Sequence, residues 1–114
     1  MANPTPNLAS LVQQHQAAYR ASLAHRLAEL EALAPEASEP AQAALPALER
    51  YAHSIAGSAG TFGLRALGET ARKLELAVEM ALAGADRPDP VDACLAALRH
   101  QLESTIAEHS SVMQ

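Results

Sequence analysis

The chain of 114 residues has no tryptophan, one phenylalanine, two tyrosines, one cysteine and a single lysine, Lys73. Aromatic residues make up 3% of it, and Val, Ile and Thr together number only 10. Sheets are built from β-branched and aromatic side chains, so an all-β fold is excluded. One cysteine excludes an internal disulfide, and Cys94 falls in an apolar helical stripe, where a small core residue is expected. Basic residues are also few, 8 against 13 acidic ones, for a net charge of −5. Nucleic acids and anionic membranes call for a basic surface, so neither is an expected partner. No apolar run approaches the roughly 18 residues of a membrane span. The stretch from Met1 to Leu11 lacks the charged and apolar regions of a signal peptide, and a cytoplasmic location is expected. A Glu-x-x-His signature is absent, and His25, His100 and His109 show no i, i+4 spacing among themselves, so no metal site is expected.

Alanine (27 copies) and leucine (16) carry most of the 49% apolar content. Both keep most of their side-chain freedom in a helix, which indicates an all-α protein of one domain, residues 1–114. Four segments show helical spacing of apolar residues. The first, about 7–34, carries Leu8, Val12, Tyr19, Leu23, Leu27 and Leu30, with Thr5 or Asn7 as its cap. A break over 34–40, bracketed by Pro35 and Pro40, leads to the second, about 41–62. Its stripe is Leu45, Leu48, Ala52, Ile55, Ala59 and Phe62; Pro46 kinks it or marks its true first turn. Gly63 ends it. The third, about 64–83, presents Leu64, Leu67, Ala71, Leu74, Val78 and Leu82 and stops at Gly84. Asp89-Pro90 reads as a cap and first turn for the fourth, about 90–109, with Val91, Cys94, Leu95, Leu98, Leu102 and Ile106; fraying is expected from His109 onward. Short connections between four amphipathic helices indicate an antiparallel, up-down-up-down four-helix bundle.

Beyond the fold class, the informative stretch is Tyr51 to Leu64. At 100° per residue, His53 lies roughly 130° from the centre of the apolar stripe, on the solvent side. Gly57 and Gly60 follow on the same face. Each costs about 1 kcal/mol against alanine in a helix, and close approach of another chain or helix is the usual compensation. An exposed imidazole beside a surface without side chains suits the docking of a partner; close helix packing alone is the other reading of the two glycines. Phe62 is expected in the core, and His15, within the first stripe, is expected to be packed or interfacial. The i, i+4 pair Glu49 and His53 fits a helix-stabilising contact rather than a metal site.

The run His53-Ser-Ile-Ala-Gly57-Ser-Ala-Gly60-Thr-Phe-Gly63-Leu, continued by Leu67 and Leu74-Glu75, resembles the histidine-containing phosphotransfer (HPt) domain family, which includes the similar N-terminal domain of chemotaxis histidine kinases. The resemblance implies a four-helix bundle with the histidine exposed midway along the second helix. It implies that His53 accepts a phosphoryl group from a receiver-domain aspartate or a kinase and passes it to another response regulator. Such a domain is a carrier rather than an enzyme, without a nucleotide site or cofactor of its own; the receiver supplies Mg²⁺. Response-regulator receivers and a hybrid histidine kinase are the implied partners, and a monomer is expected. Glu75, 22 residues on, matches a residue that orients the imidazole; projected on its helix it lies at the edge of the stripe, and the bland alternative is a solvated carboxylate. Ala56, Gly57 and Gly60 would form the docking surface. Ala56 stands where the family has a lysine. Arg65 and Arg72 project further round the third helix than Glu75, so neither is expected to replace that cation. The departure supports an alternative function, an HPt-like module that binds a receiver or kinase through the His53 face without accepting phosphate.

Overall fold

A computed structural model describes residues 8–34, 42–85 and 90–113, the side chains of 110–113 excepted. All regular structure among them is helical: α1 (Leu8–Ala21), α2 (Leu23–Leu33), a 3₁₀ turn (Gln42–Ala44), α3 (Leu45–Thr61), α4 (Arg65–Leu82) and α5 (Val91–Met113). The expected first segment is thus two helices in tandem. Ser22 keeps helical dihedrals (φ −82°, ψ −9°), but its hydroxyl donates to the Tyr19 carbonyl at 2.6 Å. Its own N–H is shared between the carbonyls of Ala18 and Tyr19. A serine hydroxyl that competes for a backbone carbonyl in this way loosens the helical ladder.

Local signals explain the other boundaries. Pro46 lies in the first turn of α3, where its missing N–H is no loss. Gly63 (φ +83°) and Gly84 (φ +71°) take the left-handed conformation just beyond α3 and α4. The carbonyl of Pro90 accepts the N–H of Cys94 at 3.2 Å and so opens α5. That helix continues to Met113 instead of fraying from His109, since no proline or glycine interrupts it. The expected caps at Thr5, Asn7 and Asp89 and the break around Pro35 and Pro40 lie outside the described residues.

The stripes of the later helices form the core. Leu48, Ala52, Ile55 and Ala59 of α3 pack with Leu67, Ala71, Leu74 and Val78 of α4, and with Val91, Cys94, Leu95, Leu98 and Leu102 of α5. Tyr19, Leu23 and Leu30 close the remaining side. Each leucine removed from water in this way stabilises the fold by roughly 1.5–3 kcal/mol. The first half of α1 departs from expectation. Leu8 and Val12 are 78% and 43% exposed, and His15 is exposed rather than packed. Tyr19 is the sole buried residue of α1: helical periodicity marks a face, not how far along it a neighbour extends.

The most extensively packed helix pair is α3 with α4. A Cβ placed on Gly68 would stand 3.3 Å from the backbone nitrogen of Gly60 and 3.5 Å from the carbonyl oxygen of Ala56. Gly68, not Gly57 or Gly60, is therefore the glycine that close packing requires. Nothing lies within 4 Å of a Cβ built on either of the other two.

Candidate functional site

Midway along α3, His53 projects from the bundle with 73% of its side chain exposed. Its Nδ1 lies 2.5 Å from Oε2 of Glu75 on α4, a carboxylate only 5% exposed. Glu75 is therefore buried, not solvated, and it is placed by the tight α3–α4 packing that Gly68 permits. Its other oxygen, Oε1, accepts a hydrogen bond from Nη1 of Arg72 at 3.2 Å. An ionised carboxylate only accepts hydrogen bonds, so with Glu75 ionised the contact requires the tautomer with its proton on Nδ1. Nε2 is then left facing solvent with its lone pair. A neutral imidazole held in one tautomer with one nitrogen open is suited to nucleophilic work.

Arg72, although it projects further round α4 than Glu75, does contact that carboxylate. Its guanidinium reaches forward along its own helix to the carboxylate three residues on. Arg65 does turn elsewhere, its Nε donating to Glu69 at 3.1 Å. The i, i+4 pair of Glu49 and His53 does not form; among the described residues the ion pair of His53 is with Glu75. The His25 ring makes an i, i+4 contact instead, with Glu29 at 3.4 Å.

The surroundings of His53 are sparse in side chains. Gly57 and Gly60 are exposed, and Ala56 is half-buried beside them. Ala56, Gly60 and Gly68 floor an open cleft of about 480 Å³ between α3 and α4, with Arg65, Arg72 and Lys73 on its rim. On the other side of α3, Ser58 accepts or donates a 2.8 Å hydrogen bond with the Tyr19 hydroxyl. Phe62 is half-buried rather than fully in the core, and stacks on the Tyr19 ring at a centroid distance of 4.8 Å. Arg26 covers that ring, 5.0 Å from its centre. Tyr51 donates to the carbonyl of Arg26, and burial pushes its phenol well above the usual range.

Among the described residues no group of three or more His, Cys, Asp or Glu is placed to hold a metal ion. No described helix is long and apolar enough to cross a membrane. Sequence reasoning missed Gly68, and it named Arg72 without its contact to Glu75. The first had a signal, a glycine inside a helical stripe, and so had the second, the i, i+3 spacing of Arg72 and Glu75 on one helix. In comparison with known proteins, the family model for the Hpt domain matches residues 16–108. No curated protein and no solved structure gives a significant match.

Proposed function

The chain belongs to the histidine-containing phosphotransfer (Hpt) domain family, and from that membership we propose that it is a phosphoryl carrier with His53 as the acceptor. Hpt domains serve histidine phosphotransfer in phosphorelays; they are carrier modules that interact with receiver domains and kinases. The observation that supports His53 is its geometry: an imidazole 73% exposed, fixed through Nδ1 to a carboxylate 5% exposed.

In this reading a receiver domain docks over Gly57 and Gly60, where no side chain stands in the way. The Nε2 lone pair attacks phosphorus of the receiver's aspartyl phosphate. The N–P bond forms as the P–O bond to the aspartate breaks, and the carboxylate leaves with the electron pair. Nδ1 keeps its proton, shared with Glu75, so the positive charge that develops on the ring is met by a carboxylate. Phosphoryl transfer depends chiefly on positioning and charge stabilisation, and an oriented, accessible ring supplies the positioning. The Mg²⁺ of the step belongs to the receiver. The reverse sequence passes the group to a second response regulator. We read the four-helix outline as up-down-up-down and the acidic chain as a cytoplasmic monomer.

Incubation with phosphorylated receiver domains tests the proposal. The expected result is an acid-labile label on the chain that His53→Gln abolishes. Ala56 favours a second reading, since it places no cation one turn beyond His53: the domain then binds a receiver or kinase through the same face without chemistry. Measurable binding with no label on any histidine would establish that second reading.

A further inference from the structure

We propose that Arg72, presented from α4 across the cleft from Ala56, is the cation that pairs with the phosphoryl group on His53. The inference rests on His53 as acceptor. A phosphorylated ring gains up to two negative charges and three acceptor oxygens. It does so beside the Glu75 carboxylate, on a chain that already carries −5. A cation in reach offsets that repulsion, and α3 offers none in the right place. Ala56 and Gly57, the residues one turn beyond His53, have no charge. Arg50 precedes His53 by three residues but makes no hydrogen bond or ion pair with the ring, which is held by Glu75 instead.

The register of the two helices brings Arg72 to the vacant position. His53 meets Glu75, and Gly60 meets Gly68 seven residues away along each helix. Between these two pairs, Ala56 and Arg72 come opposite each other, and both line the same cleft. The guanidinium is already within two hydrogen bonds of the imidazole, through the two oxygens of Glu75. One of its five N–H groups is engaged there, and its side chain is 61% exposed, which leaves further donors for phosphoryl oxygens. The small side chain of Ala56 keeps the cleft open for that approach. Of the other rim cations, Arg65 is held by Glu69. Lys73 stands between this cleft and a second cavity, lined by Thr70 and Cys94, on the side of α5.

Phosphoramidate, a small phosphoryl donor, allows the test on the intact chain without a receiver. The Nε2 lone pair displaces ammonia as the N–P bond forms and the donor's P–N bond breaks. The ³¹P resonance of phosphorylated His53 is the one missing in His53→Gln, and its chemical shift is titrated with pH. A cation at the phosphoryl group favours its dianion and lowers its second pKa. Arg72→Ala and Arg72→Gln are expected to raise that pKa by about half a unit, about a threefold change in the acid constant, as for a partly exposed ion pair. The shift should shrink as salt is added. Arg50→Ala removes the same charge from the chain and should leave the titration unchanged, while Ala56→Lys in the Arg72→Ala background should lower the pKa again. A purely structural role for Arg72 would not move the phosphoryl titration. Identical curves for wild type and both Arg72 variants would overturn the assignment and leave His53 as acceptor. No phosphorylation of His53 in the wild type would overturn both.

Discussion

Gly68→Ala, compared with Gly57→Ala, tests the packing on which the His53–Glu75 pair depends. Alanine is worth about 1 kcal/mol over glycine inside a helix. At Gly57 a Cβ meets nothing within 4 Å, so the whole of that gain should appear, raising Tm by roughly 4–8 °C for a small domain. At Gly68 the Cβ would stand 3.3 Å from the Gly60 nitrogen, 3.5 Å from the Ala56 oxygen and 3.7 Å from the Ala59 Cβ. Two of these neighbours are backbone atoms of α3 and cannot rotate away, so the helix must retreat by a few tenths of an ångström. Inserting a methyl group into close packing costs typically 1–3 kcal/mol, which cancels or exceeds the propensity gain. Gly68→Ala should therefore be about 1–3 kcal/mol less stable than Gly57→Ala, read from urea unfolding curves of equal slope. Equal stabilisation by the two substitutions would refute the close approach of α3 and α4 at this point.

Further outcomes follow from the same geometry. His53→Gln should change stability by under about 0.5 kcal/mol, as befits an exposed position; a loss of several kcal/mol in thermal unfolding would show that the ring is buried. Glu75→Ala should slow phosphoryl acceptance by about tenfold, the equivalent of one hydrogen bond to a charged group, and an unchanged labelling rate would remove Glu75 from the site. Gly57→Leu should weaken receiver binding by filling the open face while leaving unfolding stability slightly raised; unchanged affinity in a titration would place the docking surface elsewhere. Tyr51→Phe loses the hydrogen bond to the Arg26 carbonyl, at a cost of about 1 kcal/mol. Because burial raises the phenol's pKa in the folded state, its contribution is full below about pH 10 and is lost as pH rises beyond that. Wild-type stability should therefore fall more steeply than that of Tyr51→Phe above pH 10, and parallel curves would contradict this.

Much of the architecture is legible in the sequence because it is local. The stripes of α3, α4 and α5, the first-turn role of Pro46 and the stops at Gly63 and Gly84 all follow from spacing and backbone freedom. The exposure of His53 follows from the same helical wheel. What escapes it is the placement of one helix along another. Leu8 and Val12 continue the stripe of Tyr19 and Leu23, yet they are exposed, since periodicity does not say where a neighbour ends. Glu75 projects to the edge of its stripe, and only the offset between α3 and α4 determines that it is buried against His53. The same offset brings Arg72 opposite Ala56 and makes Gly68, rather than Gly57 or Gly60, the glycine demanded by packing. The division of the first helix at Ser22 is a side-chain choice, a hydroxyl turned to the Tyr19 carbonyl instead of to solvent.

The central claim is that His53 accepts a phosphoryl group on the nitrogen that Glu75 leaves open. Nitrogen-15 spectra of the imidazoles, recorded before and after incubation with a phosphorylated receiver or phosphoramidate, test it most directly. The expected result is phosphorylation of Nε2 of His53, with the Nδ1 proton retained and the signal absent in His53→Gln. Phosphorylation at Nδ1, label persisting in His53→Gln, or an unmodified ring under both donors would contradict it.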